Sequence, residues 1–217
     1  MIAALGDRGR EHVMAPSEEN LVGEIAGGVH LHDVSALMPR RPSLAKTRDV
    51  EDIDRLFVHH SGALGKPGVA GAWGSANYVV NQRKNARGKP AHFPGPAYTL
   101  WVPAETLRDS HGAIVVLRLN ADEERSWHTG ARANDRGVAV VLQGNTTSQP
   151  LTWSHEECLE AVIPWCVTRY GLEMPEGLSW HADAKKDGAR KNKAACPGKH
   201  AEAWLRGYLR GYRTETA

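Results

Sequence analysis

The chain is poor in cysteine, in net charge and in long apolar runs, and each scarcity excludes something. It has three cysteines in 217 residues, Cys158, Cys166 and Cys196. An odd, small number does not make a disulfide framework. The formal net charge is only +2, so bulk charge gives no support to nucleic-acid binding. No stretch approaches the roughly 18 apolar residues of a membrane span, so no membrane insertion is expected. The apolar run in MIAALGDRGREHV is too short for a signal-peptide core, and charged residues follow at once. The expectation is a protein without a signal peptide that starts in the cytoplasm. Internal repeats and low-complexity tracts are also absent.

What is present is an ordinary globular composition, 41% hydrophobic and 24% charged. Residues 1–45 read as an N-terminal extension, and residues 46–217 as one catalytic domain with no second domain after it. Within the extension, Ser17-Glu18-Glu19-Asn20 is expected to open a short helix carrying Leu21, Ile25 and Ala26. Pro39-Arg40-Arg41-Pro42 marks a turn or linker. Further on, Leu56–His60 is a short apolar run stopped by Ser61-Gly62, the pattern of a buried strand. Residues 97–102, 113–119 and 138–142 read as three more strands, and 75–83 as a helix. Ser154-x-x-Glu157 has capping-box spacing and opens a helix to Tyr170, stopped by Gly171 and kinked at Pro164. A last helix starts near Pro197, with Ala201, Trp204, Leu205 and Tyr208 on one stripe. Strands interleaved with helices predict an α/β fold, a central sheet covered by helices. Cys158 and Cys166 fall in one apolar helical stretch and are expected to be core residues.

Three residue types at element edges suggest a metal centre. A catalytic zinc site uses three protein ligands from imidazole and thiolate and leaves a fourth position for water. His59, His181 and Cys196 make such a set. His59 and His60 close one strand and point to opposite faces, and pattern alone leaves open which of them is the ligand. Proline favours the first helical position. This places Cys196 at a helix N-cap, where the dipole favours the thiolate. His181 lies fifteen residues earlier across a polar loop, short enough to fold both side chains onto one ion.

Taken in order, VHHSG (58–62), SWHTG (126–130), VAVVLQGN (138–145), WHADA (180–184) and KAACPGKH (193–200) resemble the zinc N-acetylmuramoyl-L-alanine amidases. That family includes phage endolysins and peptidoglycan-recognition proteins. The resemblance covers roughly residues 53–212. It implies a peptidoglycan-recognition-protein-like fold with a central mixed β-sheet, and one Zn2+ ion held by His59, His181 and Cys196. It implies that Tyr98 lies near the zinc and that His128 and Asn134 line the substrate groove. Arg132, with the basic loop at 185–193, is placed to meet the carboxylates of a peptide stem. One departure stands out: some phage members have a lysine two residues before the ligand cysteine. That position is Ala194 here, and Lys193 is the nearest substitute.

The reaction so implied is hydrolysis of the amide between N-acetylmuramic acid and L-alanine in peptidoglycan by a monomeric enzyme. Lys193 would stabilise the oxyanion and Tyr98 would orient water or relay a proton. A phage or prophage endolysin, cytoplasmic until released to the cell wall, is the expected role. A cytoplasmic recycling amidase is the alternative. Three rivals have other chemistry: a peptidoglycan-binding module, a cysteine hydrolase using Cys196 with His181 or His128, and a structural zinc site, for which no fourth ligand is evident.

Overall fold

The computed structural model describes residues 16–84, 87–129, 133–183 and 195–215. Among these residues seven strands form one mixed sheet. In chain order they are β1 (Leu21–Ala26), β2 (Val29–Asp33), β3 (Arg55–His60), β4 (Leu100–Val102), β5 (Ile114–Arg118), β6 (Gly137–Leu142) and β7 (Leu178–Trp180). The spatial order is β1-β2-β5-β4-β6-β3-β7. The β1–β2 and β4–β5 pairs are antiparallel, and the remaining neighbours are parallel. The four central and right-hand strands β4, β6, β3 and β7 are almost wholly buried, as parallel strands covered on both faces should be.

Side-chain alternation divides the core into two layers. Leu56, Val58, Val138, Val140, Val116 and Leu31 face helices α3 (Trp153–Tyr170) and α4 (Lys199–Glu215). Trp101, Val115, Leu117 and Val141 face the opposite way, against Val69, Ala72 and Ala76 of α1 (Gly68–Asn77). A one-turn helix, α2 (Ala133–Arg136), leads into β6. The stripe predicted for the last helix is the one that packs: Ala201 and Leu205 are fully buried, with Trp204 and Tyr208 against them. Burying a leucine of this kind contributes about 1.5–3 kcal/mol. Cys158 and Cys166 are buried in the same layer, and none of the three cysteines is in a disulfide. No helix among the described residues is long and apolar enough to cross a membrane.

Several local expectations are corrected. Leu21–Ala26 is not helical. A single 3-10 turn at Glu18–Asn20 leads into β1, which pairs with β2. These two strands come from the stretch before residue 45, and Val29 and Leu31 join the main core. The helix sought over 75–83 begins earlier, as α1, and ends in a π turn at Tyr78–Gln82. The helix α3 is capped by Thr152 rather than Ser154: Thr152 Oγ1 accepts from His155 N–H, and His155 Nδ1 accepts from Thr152 N–H. Its far end is as expected, with Gly171 in the left-handed conformation at φ 62°.

Candidate metal centre

Strand β3 delivers His59 into the site. Phe57 and His59 point away from the α3–α4 layer, whereas His60 turns to Thr146, with Nδ1 3.2 Å from Oγ1. The choice that pattern left open therefore falls on His59. His181 follows β7, which pairs directly with β3. Cys196 comes from a third segment, tied to the second by the Ala182 N–H bond to the Cys196 carbonyl at 3.0 Å.

Cys196 is not at a helix N-cap. It precedes the first residue of α4, Lys199, by three positions, so the helix dipole does not account for its position. The loop is anchored instead to the turn after β6. Thr146 Oγ1 donates to the Pro197 carbonyl, and His200 N–H donates to the Thr146 carbonyl at 3.1 Å. Gly198 makes this approach possible. Its φ is +91°, and a Cβ there would lie 2.4 Å from the Thr146 carbonyl carbon. Only glycine meets both demands.

The donor atoms of His59, His181 and Cys196 all lie within 4.8 Å of one another. Their residues are 1%, 9% and 4% exposed. His59 Nδ1 is 3.5 Å from Cys196 Sγ, and the His59 and His181 rings are 5.0 Å apart. Two imidazoles and a thiolate converging from three segments suit a tetrahedral divalent metal, and this set can hold one. The Tyr98 ring is 5.3 Å from that of His59. Burial, together with the neighbouring Cys196, pushes the Tyr98 phenol above its usual range, so its hydroxyl keeps its proton.

Behind His59 lies His128. His59 Nε2 is 3.0 Å from His128 Nδ1, and Phe57 packs on the His128 ring at 5.2 Å. Burial, helped by the Arg48 and His181 charges, drives the His128 pKa down to about 3. A neutral His128 can accept from His59 Nε2–H, the tautomer in which the His59 Nδ1 lone pair faces Cys196. His128 is thus placed against His59 rather than in an open groove. Asn134 is also buried, at 1% exposure. Its Oδ1 accepts from Thr129 N–H at 2.9 Å and faces Thr129 Oγ1 at 3.2 Å, which holds the turn next to His128. Arg132 and Lys193 lie outside the described residues. Arg48, which sequence reading missed, is buried and donates to the carbonyls of Asp122 and Gly137. No spacing in the sequence marks it.

The fold is of the α/β class, a mixed, helix-covered sheet that brings His59, His181 and Cys196 together at one end. The sequence pattern of one family, N-acetylmuramoyl-L-alanine amidase, matches residues 49–199, and the chain belongs to that family. Solved structures share its fold. Wild-type Drosophila PGRP-LB is 15% identical, with a TM-score of 0.57 and coverage of 82% of this chain and 92% of its own. A Drosophila PGRP-LB mutant in complex with tracheal cytotoxin is 14% identical, with a TM-score of 0.54 and coverage of 78% and 89%. The Ph2119 endolysin from Thermus scotoductus MAT2119 bacteriophage Ph2119 is 12% identical, with a TM-score of 0.54 and coverage of 81% and 96%. No curated protein matches the chain.

Proposed function

We propose that the protein is a zinc-dependent amidase that hydrolyses the bond between N-acetylmuramic acid and L-alanine in peptidoglycan. The observation that carries this reading is the convergence of His59, His181 and Cys196 within 4.8 Å in a chain of the amidase family. These three residues would hold the ion. When bound, zinc supplies Lewis acidity for activating water and polarising a carbonyl.

The other groups position and donate. His128 holds His59 in the ligating tautomer, as partners behind a ligand do in metal sites generally. Tyr98 keeps its hydroxyl proton, so it serves as a hydrogen-bond donor beside the reacting amide or its water. We retain Lys193 as the donor to the developing oxyanion and Arg132 as a contact for stem carboxylates. As the biological setting we propose wall lysis by a phage or prophage endolysin. Cutting of soluble wall fragments in place of sacculi would favour the recycling role.

A second reading follows from the 3.5 Å separation of Cys196 Sγ and His59 Nδ1: the pair has the spacing of a thiol nucleophile and its base. Mass spectrometry of digested peptidoglycan tests the bond cut. The expected products are intact glycan strands and free peptides beginning with L-alanine. Sugar-ended fragments with the peptides still attached would contradict the amidase assignment. Activity that survives complete metal removal would favour the thiol reading.

A further inference from the structure

A second histidine cluster lies on the same face of the sheet as His59, at the other end of one cross-strand row. In register, that row runs His59, Val141, Trp101, Leu117, His32. Four strand spacings of about 4.8 Å separate its ends by about 19 Å. The three residues between them are buried under α1, so the two clusters do not communicate through solvent.

His30 and His32 alternate along β2, which puts both rings on one face. Asp109, from the loop before β5, meets them. His30 Nδ1 is 2.6 Å and His32 Nε2 is 3.1 Å from the same oxygen, Asp109 Oδ2. The other oxygen, Oδ1, accepts from the N–H groups of His111 and Ala113 at 2.9 and 3.1 Å. The backbone thus fixes the carboxylate with one oxygen turned on two imidazoles. Burial works to raise the Asp109 pKa. The hydrogen bonds from His32, His30 and the two N–H groups outweigh it and hold the group down at about 2. The three donor atoms lie within 4.8 Å of one another. The exposed His111 ring, 6.0 Å from that of His30, offers a further imidazole. Both rings border an open cleft of about 410 Å³ beside Glu24, Arg108 and Trp153.

We propose that His30, His32 and Asp109 form a second divalent-metal site, separate from the amidase centre. Two imidazoles and one carboxylate select a borderline ion such as Zn2+ over Ca2+ or Mg2+, which prefer all-oxygen shells. The ion takes the place of the hydrogen bonds between Asp109 Oδ2 and the two rings, each neutral imidazole keeping its one proton on the nitrogen turned away from the ion. It ties β2 to the loop before β5, about 19 Å from the amidase centre, and takes no part in that reaction.

The test is equilibrium dialysis of the full chain against Zn2+ at neutral pH, with metal counted per folded protein. The expected result is two ions in the wild type. His30→Gln and Asp109→Asn should each retain one, with the second bound at least tenfold more weakly, and should keep full activity on peptidoglycan. The Cys196→Ala protein should still bind one ion, and His30→Gln added to it should remove that ion. Cobalt substitution gives an independent signature, since only the Cys196 centre can show thiolate-to-metal charge transfer. A metal count that His30→Gln leaves unchanged, whether the wild type binds one ion or two, overturns the proposal. If the His30 and Asp109 variants fail to fold, Cys196→Ala still decides, because absence of any ion there overturns the site. This proposal rests on the amidase reading only for the total: if the Cys196 centre holds no ion, the wild type binds one, and that ion depends on His30 and not on Cys196.

Discussion

The two ends of the His59–His32 row use the same residue type under different constraints. At the β3 end, the three proposed ligands come from three segments, β3, the end of β7 and the loop before α4, and each is more than nine-tenths buried. A thiolate completes that set. At the β2 end, both histidines come from one strand and a backbone-anchored carboxylate completes the set. The first arrangement exists only when the whole sheet and the 195–200 loop are in place. The second joins His32 to Asp109 across 77 residues of sequence, but needs only β2 and β5 paired side by side. The difference teaches that a site spread over three elements reports on the whole sheet, whereas one held between two neighbouring strands reports on that pair.

The largest expected effect separates the two ends directly. Cys196→Ala should reduce peptidoglycan hydrolysis to background while leaving the β2 cluster intact. Residual activity near the wild-type level in a metal-loaded Cys196→Ala protein would break the assignment.

A buried histidine outside both clusters supplies a control without a metal role. His155, in the α3 cap, is held at a pKa of about 4 by burial, with a smaller opposing contribution from a Gln143 backbone hydrogen bond. The unfolded chain takes up this proton near pH 6.5 and the folded protein only near pH 4. Its contribution is therefore full above pH 6.5 and falls as the pH drops towards 4, by up to about 3 kcal/mol. Urea titrations at pH 7 and pH 4.5 should show a larger loss in the wild type than in His155→Gln, which can retain the capping geometry. Equal losses would contradict the buried neutral state.

A smaller effect probes the support behind the metal. His128→Ala removes the acceptor for His59 Nε2 and should weaken zinc binding about 10–100-fold. Its effect on ions bound at the β2 end should be nil. Competitive chelator titration measures both, and an unchanged affinity at the Cys196 centre would show that His128 does not orient His59. The smallest expected effect is that of His30→Gln on peptidoglycan hydrolysis, a rate within about twofold of wild type, the range left by surface changes of up to ~0.5 kcal/mol.

The sequence made the β3 end far more legible than the β2 end. The adjacent histidines after an apolar run and the Cys-Pro-Gly segment stand out because each breaks a regular pattern. The stripe of α4 was legible for a similar reason, as helical spacing repeats over several turns. The β1–β2 hairpin was not. Its first strand alternates only weakly, and register shifts at Leu21/Gly23 and Glu24/Ala26 blur the period. A stretch beginning Ser-Glu-Glu-Asn then resembles a helix start. With β2 unseen, the spacing of His30 and His32 carried no meaning. The caps were misjudged for another reason: Thr152 and Ser154 both suit an N-cap, and tertiary packing buries Ser154. The burial of His128 and Asn134 depends on contacts across the sheet that no local pattern encodes.

The most direct test of the central claim is turbidity loss of purified sacculi, with new L-alanine amino termini counted alongside. The protein should clear the suspension, stop when chelator is added, and resume when zinc is returned, with amino termini rising in step. Clearing that continues unchanged in chelator, or a folded zinc-loaded protein that releases no L-alanine termini, would contradict it.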